Sequence, residues 1–329
     1  MRTRQFGTTG RQVSEIGFGT WGIGGAQWDG VDDKEAIGAL QEALDSGVTF
    51  LDTADVYGDG RSEKLIAEAL RGRSGSKPFI ATKAGKRLPK QEVSGYTAAN
   101  LATWIERSLK NLEVERLDLV QLHCPPTELF HRPEVFEVLD GLVSQGKIAN
   151  YGVSVEKIEE AIKAIEYPNV VSVQIIYNIL RQRPEKPFFE LAKKRDVAVI
   201  ARVPLASGLL SGKFNLNSSF GSADHRNFNR NGEAFDVGET FSGVPFERGL
   251  EVVEKLRTLV PGNATMAQFA LRWILMNDAV TVVIPGARSI AQSRANAAAG
   301  DLPPLSADTM TQIKAIYDAD VKPFVHHRW

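Results

Sequence analysis

Residues 48–72, VTFLDTADVYGDGRSEKLIAEALRG, contain the pattern that decides the fold of this 329-residue chain. The apolar run 48–52 predicts a short buried strand that ends in Asp52. A loop containing Tyr57 follows, and residues 62–72 then show the period of an amphipathic helix opened by a serine cap. A buried strand joined directly to a helix is one βα unit of a parallel sheet.

The βα unit is repeated along most of the chain. Strands are predicted at 14–19, 48–52, 78–83, 117–123, 148–154, 170–177, 197–204 and 279–286, and helices at 33–47, 62–72, 97–112, 133–146, 156–166, 186–195 and 264–277. Eight such units in about 300 residues are typical of a (β/α)8 TIM barrel, an α/β fold. We therefore predict one barrel domain over residues 1–329, with an open doubly wound sheet as the alternative.

Three segments fall outside the alternation. Thr9-Gly10 is a plausible turn, which predicts a short N-terminal hairpin before the first barrel strand. Residues 214–248 are rich in Asn, Ser and Gly without a clear period, so we predict a long loop after strand seven, on the active-site side. The motif GFGTWG at 17–22 matches a dinucleotide-binding turn, but no helix is predicted before about Asp32, so a Rossmann fold is rejected.

Composition argues against several classes of partner. The net charge is -1, so no general field would hold nucleic acid. No apolar run approaches the roughly 18 residues that span a membrane. The single cysteine, Cys124, cannot form an internal disulfide, which favours a reducing, cytoplasmic compartment. We therefore expect neither nucleic acid nor a membrane as a partner.

Polar side chains end four successive predicted strands: Asp52, Lys83, His123 and Ser154. In a (β/α)8 barrel the carboxyl ends of the strands meet at one mouth, where active sites lie. A buried lysine needs a counter-charge, which Asp52 on the neighbouring strand can supply. A tyrosine beside that lysine would have its phenolate stabilised. We therefore expect the pKa of Tyr57 to fall below about 10, which would make Tyr57 a usable proton donor.

At these residues the chain resembles the aldo-keto reductase superfamily over nearly its whole length. The similar segments are RQFGTTGRQVSEIGFGTWGIGG (4–25), FLDTADVYGDGRSEKLIAEAL (50–70), IATKAG (80–85), DLVQLHCP (118–125), GVS (152–154), VQIIYN (173–178), VPLASGLLSGKF (203–214) and IPGARSIAQSRAN (284–296). The resemblance implies reduction of an aldehyde or ketone, a small-molecule carbonyl substrate, by NADPH, with NADH as the alternative cofactor and no metal. It implies a catalytic tetrad of Asp52, Tyr57, Lys83 and His123.

The resemblance also implies a set of cofactor-binding residues. They are Gly19, Thr20, Trp21, Asp52, Ser154, Gln174, Arg202, Pro204, Leu205, Ser207, Gly208, Leu210, Gly212, Lys213, Arg226, Gly286, Arg288, Gln292 and Asn296. Ser154 and Gln174 would hold the nicotinamide carboxamide. The turn 204–212 would follow the pyrophosphate, and residues 284–296 would hold the adenosine. Arg226 would reach the cofactor from the long loop.

Arg202 departs from the family, which usually places an aromatic ring against the nicotinamide at this position. The flat guanidinium could stack in the same way, while its positive charge would weaken binding of the oxidised cofactor. Alternatively, Arg202 could bind an acidic substrate. Three further cations follow strand three, Lys86, Arg87 and Lys90. They are ordinary loop charges or, alternatively, favour an acidic or phosphorylated carbonyl substrate.

One alternative function and two minor expectations stay open. The alternative is a cofactor-binding regulatory or redox-sensing protein with slow turnover, since channel-associated members of the superfamily keep the same tetrad. Cys124 is expected to point away from His123 if the strand pleat continues. The C-terminal segment FVHHRW (324–329) could contact the pocket.

Overall fold

The computed structural model describes residues 1–25 and 31–329. In these ranges, eight parallel strands form one sheet in which each strand pairs with the next along the sequence. The hairpin strands are β1 (Thr3–Gln5) and β2 (Gln12–Ser14), and the sheet strands are β3 (Phe18–Gly19), β4 (Phe50–Asp52), β5 (Phe79–Ala84), β6 (Leu119–His123), β7 (Tyr151–Ser154), β8 (Val170–Ile176), β9 (Ala198–Arg202) and β10 (Val280–Val283). Each predicted strand is present, with bounds that differ by a few residues.

The sheet closes on itself between its first and last strands. Gly17 N donates to Val283 O at 2.8 Å, and Val283 N donates to Glu15 O at 3.0 Å. Gly19 N donates to Pro285 O at 3.0 Å. These bonds join β10 to the segment that contains β3, so the strands form a barrel. The predicted (β/α)8 fold is confirmed, and the open doubly wound alternative is wrong.

Helices connect the strands and, except for α1 and α8, cover the outside of the barrel. They are α1 (Trp21–Gly24), α2 (Asp33–Asp45), α3 (Arg61–Leu70), α4 (Ala98–Leu112), α5 (Pro133–Ser144), α6 (Ile158–Ala164), α7 (Phe188–Lys194), α8 (His225–Phe228), α9 (Phe246–Arg257), α10 (Met266–Leu275), α11 (Ile290–Ala298), α12 (Ala307–Ile316) and α13 (Lys322–Val325). Their apolar faces pack inward at helical spacing, as Leu101, Ile105 and Leu109 do on α4. Among the described residues, no helix is both long and apolar enough to cross a membrane.

The N-terminal hairpin closes the bottom of the barrel. Phe6, which is fully buried, lies 5.4 Å from the ring of Phe50 and 4.9 Å from that of Phe79, measured between ring centroids. Both partners begin barrel strands, so this apolar plug fills the amino ends of the strands. The predicted turn is confirmed, with Gly10 at a φ of 71°. A ligand must therefore enter from the opposite, carboxyl end.

Three local predictions are corrected by the structure. A single helical turn, α1, begins within the glycine motif at Trp21, although no helix was expected before Asp32. The long loop is shorter than predicted, because α9 begins at Phe246 directly after Pro245 and α8 lies within the loop. Ser62 does not cap α3. That helix starts after Gly60 at a φ of 90°, and Ser62 Oγ instead donates to Thr20 Oγ1 at 2.5 Å.

The strand register sets the place of the site. Lys83 of β5 pairs with Gln121 of β6, and His123 of β6 pairs with Ser154 of β7. Ser154 pairs in turn with Gln174 of β8. Parallel neighbours in this register bring their last side chains to one end of the barrel.

Candidate active site

A buried ion pair lies at the carboxyl end of the barrel. Lys83 Nζ donates to Asp52 Oδ2 at 2.6 Å, to Thr53 O at 2.9 Å and to the Tyr57 hydroxyl oxygen at 3.3 Å. The Lys83 side chain is 1% exposed and that of Asp52 is 4% exposed. Because water is almost excluded, each charge depends on the other for compensation.

The remaining oxygens of Asp52 are also bonded. Gln174 Nε2 donates to Asp52 Oδ1 at 2.7 Å, and Gln121 Nε2 donates to the same atom at 3.5 Å. The backbone oxygen of Asp52 accepts from Thr20 N at 2.9 Å and from Thr20 Oγ1 at 2.8 Å. These bonds fix the carboxylate toward Lys83. The contact of Gln174 with a cofactor carboxamide stays a prediction.

Close backbone packing brings Tyr57 over Lys83. An added Cβ at Gly58 would lie 2.0 Å from Gly24 O, and the φ of Gly58 is 60°. An added Cβ at Gly24 would lie 3.0 Å from Tyr57 Cβ. A larger residue at either glycine would therefore displace the tyrosine loop.

Tyr57 is held in its protonated form. Removal from solvent raises the pKa of Tyr57 well above 10, and the charges of Asp52 and Glu239 raise it further. The prediction that the pKa of Tyr57 would fall is therefore wrong for the protein without a bound ligand. The charge of Lys83 is matched by Asp52, so little net positive field acts on the phenol to offset its burial. Tyr57 therefore keeps its proton at neutral pH, as a proton donor must.

His123 is a neutral imidazole. Burial lowers the pKa of His123 well below 6.5, and the charges of Lys83, Lys86 and Arg202 lower it further. Its ring meets that of Tyr57 edge to face, with 5.9 Å between centroids. Among the described residues, His123 Nδ1 has no hydrogen-bond partner. A neutral imidazole can donate from one nitrogen to a ligand oxygen.

An aromatic wall, formed by Trp21, His225 and Phe235, stands beside Tyr57. The centroid of Trp21 lies 6.4 Å from that of Tyr57, 4.8 Å from that of His225 and 6.4 Å from that of Phe235. His225 and Phe235 come from the long loop, where the sequence showed no period that would point to them. This wall can shield a bound ligand from water.

Comparisons with known proteins agree with this arrangement. The family model described as Aldo/keto reductase family matches residues 15–318. The chain belongs to the aldo/keto reductase family.

Several known proteins are similar to this chain over most of its length and of their own. Aldo-keto reductase YhdN of Bacillus subtilis is 31% identical over 292 residues, covering 87% of this chain and 85% of that protein. An aldo-keto reductase from Bacillus halodurans, solved in a holo form, is 29% identical, with a TM-score of 0.75 and 96% of both chains covered. A glycerol dehydrogenase from Gluconobacter oxydans is 27% identical, with a TM-score of 0.79 and 98% of this chain and 96% of that chain covered. This aldo/keto reductase is therefore an oxidoreductase.

In this aldo/keto reductase the segment predicted to follow the pyrophosphate is a strained turn. Val203, Ala206 and Ser207 have φ values of 50°, 48° and 56°, which side chains other than glycine rarely adopt. Strain of this kind accumulates where backbone meets a ligand. Pro204, Leu205, Ser207, Gly208, Gly212 and the exposed Lys213 share this turn with Leu210, whose side chain is fully buried in the core.

The residues predicted to hold adenosine meet at the end of β10 and the start of α11. Asn296 Nδ2 donates to Gly286 O at 3.1 Å. Arg288 N donates to Gln292 Oε1 at 2.8 Å. Gly286 pairs with Gly19 across the barrel closure, so this group adjoins the Thr20 and Trp21 segment. The structure thus brings the predicted residues together, and their contact with a cofactor stays a prediction.

Arg226 lies beside the strained turn. Its guanidinium donates to both carboxylate oxygens of Asp224, at 2.8 and 2.5 Å. Its Nη1 lies 3.8 Å from where a Cβ would stand at Gly208. Arg226 therefore lies next to the turn that was predicted to follow the pyrophosphate. Its contact with the cofactor stays a prediction.

Arg202 forms an ion pair with Glu239, a residue that sequence reasoning missed. Arg202 Nη1 donates to Glu239 Oε1, and Nη2 donates to Val155 O at 2.9 Å. The long loop thus supplies a carboxylate that matches the charge of Arg202, and the weaker binding of the oxidised cofactor stays a prediction. Ser207 Oγ donates to Glu239 O at 2.7 Å, which ties the same loop to the strained turn. Stacking of Arg202 on a nicotinamide ring stays a prediction.

We expect Arg202→Met to destabilise the protein by about 3 kcal/mol, because Glu239 would be left buried without its partner. The Glu239 side chain is only 14% exposed, so water can compensate little of its charge. The double variant Arg202→Met/Glu239→Gln should recover most of this loss. Urea unfolding of the three proteins measures it. Equal losses in the single and double variants would show that the ion pair itself contributes nothing.

Two remaining expectations are resolved by contacts. The strand pleat does not continue at Cys124, whose φ is 45°, and its Sγ lies 3.5 Å from Ser154 Oγ. Burial raises the pKa of Cys124 to about 11, so it is a protonated thiol.

The C-terminal tail contacts the long loop: Trp329 Nε1 donates to Asp236 Oδ2 at 3.0 Å. In the ranges that the structure describes, no group of three or more His, Cys, Asp or Glu could hold a metal ion.

Proposed function

We propose that this protein reduces an aldehyde or ketone to the alcohol with NADPH as its cofactor, and that Tyr57 is the proton donor. The observation that carries the proposal is the hydrogen bond from Lys83 Nζ to the Tyr57 hydroxyl at 3.3 Å, made by a lysine paired with Asp52. His123 adds a neutral imidazole on the next strand. An acid of high pKa beside a fixed cation is suited to protonating an oxygen that becomes negative during reaction.

The residues at the barrel mouth support a dinucleotide cofactor. Gly19 is buried and packs closely on the last strand, since an added Cβ would lie 2.8 Å from Ile284 O, whereas Gly286 is exposed and leaves its backbone open to a ligand. Ser154 and Gln174 offer a hydroxyl and an amide for a carboxamide. The holo form of the Bacillus halodurans relative supports a bound cofactor. NADPH, when bound, supplies the hydride.

The side chains of this chain have separate tasks in the proposed reaction. The Tyr57 hydroxyl gives its proton to the carbonyl oxygen. The Lys83 ammonium stabilises the phenolate left behind, and Asp52 keeps that ammonium in place. His123 donates from a ring nitrogen to the same carbonyl oxygen, which orients the substrate. The aromatic wall keeps water from the reacting groups.

Steady-state kinetics test the proposed function directly. The purified protein is given a panel of small aldehydes and ketones with NADPH or NADH, and consumption of the reduced nicotinamide is followed by its absorbance and fluorescence. Turnover of any carbonyl supports the reductase. Tight binding of NADPH without turnover on the whole panel would contradict it and favour the cofactor-binding regulatory protein.

We expect NADPH to bind at least about tenfold more tightly than NADH, since a charged hydrogen bond contributes about 1.5–3 kcal/mol. Arg288 stands in the segment proposed to hold the adenosine and is a cation for a 2′-phosphate. Arg288→Ala should remove most of the preference by weakening NADPH alone. Dissociation constants for both cofactors measure it.

Arg294→Ala is the matched control. Arg294 lies on α11, the helix that begins two residues after Arg288; it is 69% exposed and is paired with Glu42 at 2.9 Å. Its loss should leave the ratio of the two dissociation constants unchanged. Equal affinities of the unaltered protein for NADPH and NADH would show the preference to be absent.

A further inference from the structure

Three cations follow β5, and the structure separates them by their partners. Arg87 Nη1 lies 2.8 Å from Asp59 Oδ1, so its charge is matched. Lys90 is 83% exposed and paired with Glu92. Lys86 is half-buried and makes no hydrogen bond or ion pair with any residue in 1–25 or 31–329. A half-buried ammonium without a counter-ion is costly, and such a group often marks a place for an anionic ligand.

Lys86 lies in the loop that leaves β5 at the catalytic end of the barrel. It stands two residues after Ala84, which pairs with Leu122, the residue before His123. Burial is the main reason that the pKa of His123 is lowered, and the charge of Lys86 adds to that lowering after Lys83. The loop position of Lys86 and its effect on His123 together place its charge on the side of the mouth where β5 and β6 end.

The acids of this part of the mouth do not neutralise Lys86. Glu239 is already paired with Arg202, and Asp236 accepts from the indole of Trp329. Glu156 forms no ion pair with a residue of the described chain through its carboxyl group. Burial raises the pKa of Glu156 to about 7, with Asp236 and Glu239 adding to the rise and the charges of Arg202 and Lys86 opposing it, so its carboxyl is only partly ionised at neutral pH. Lys86 thus has no ion-pair partner, and the partly ionised Glu156 balances only part of its charge.

The mouth therefore offers two different surfaces to a ligand. One is the aromatic wall, which suits an apolar or aromatic body. The other is the charge of Lys86, which has no ion-pair partner and acts on Glu156. A single ammonium matches a carboxylate, whereas a phosphate dianion would leave excess negative charge beside Glu156.

On the basis of these contacts, and resting on the proposed reductase function, we propose that Lys86 is a specificity-determining residue that binds a carboxylate on the substrate. The substrate class is then an aldehyde or ketone with a carboxylate group and an apolar body. Lys86 acts by holding the substrate, while the transfer of the proton is left to Tyr57.

A matched pair of substrates tests this assignment: 4-carboxybenzaldehyde and its methyl ester, which differ in charge and little in shape. In the unaltered protein we expect kcat/KM to be about tenfold higher for the acid, as one charged hydrogen bond would give. Lys86→Met should remove this preference mainly by raising KM for the acid, with a much smaller change for the ester. Glu156→Gln should increase the preference, because it removes the competing negative charge.

Lys90→Met is the control, because it removes an equal charge four residues away on the exposed part of the same loop. It should keep the preference for the acid. The assignment is wrong if acid and ester are reduced equally by the unaltered protein, or if Lys90→Met removes the preference as well as Lys86→Met does. A loss in Lys86→Met that is equal for acid and ester would also overturn it. Absence of turnover on both compounds and on the whole carbonyl panel would instead count against the reductase function.

Discussion

Tyr57→Phe is expected to lower kcat for carbonyl reduction by roughly 10²–10⁴-fold, the usual contribution of a well-placed general acid. The substitution removes only the hydroxyl that accepts from Lys83 Nζ at 3.3 Å. The ring, its packing beside Trp21 and the buried ion pair would stay. Binding of NADPH should therefore be retained, as measured by quenching of protein fluorescence.

Tyr167→Phe is the matched control for this experiment. Tyr167 also loses one hydrogen bond from its hydroxyl, to Phe130 O at 2.9 Å, but it lies outside the barrel mouth. The kcat of Tyr167→Phe should stay within about twofold of that of the unaltered protein, since substitutions away from the site usually have small effects. Near-normal turnover of Tyr57→Phe on a good aldehyde would show that another group delivers the proton.

Asp52→Leu is expected to lower the free energy of unfolding by about 3–5 kcal/mol at neutral pH, because the buried Lys83 would lose its counter-charge. Asp52 is 3% exposed, so water cannot replace it. The double variant Asp52→Leu/Lys83→Met removes both charges and should recover more than half of the loss. Urea unfolding of the single and double variants measures both values.

The loss in Asp52→Leu should shrink as the pH rises. Burial already lowers the pKa of Lys83, and Asp52 opposes that lowering. Without Asp52, the folded protein releases the lysine proton at a lower pH, while the unfolded chain keeps it up to about pH 10.4. Between these two values the unfolded state binds more protons, so stability rises by up to about 1.4 kcal/mol per pH unit. A loss that is the same at pH 7 and pH 9 would contradict a charged, uncompensated Lys83 as the cause.

The sequence determined the barrel and the grouping of the polar residues at its strand ends. Apolar runs of strand length alternate with helical periods, which is a local signal within each segment. Once the strands are parallel and neighbours in order, their last residues must meet at one end. Asp52, Lys83 and His123 end such strands, so their convergence needed no knowledge of side-chain contacts.

Only the tertiary structure decided the electrostatics of the site. The pairing of Arg202 with Glu239 joins a strand to an irregular loop, and no period relates the two positions. The unmatched charge of Lys86 likewise became visible only when Arg87 and Lys90 were found to have partners. The pKa of Tyr57 rises where the sequence predicted a fall, because burial and the balance of nearby charges depend on the whole surrounding fold. Sequence periodicity reports which face of an element is buried, whereas the interaction energy of two charges depends on their separation and on the water excluded between them.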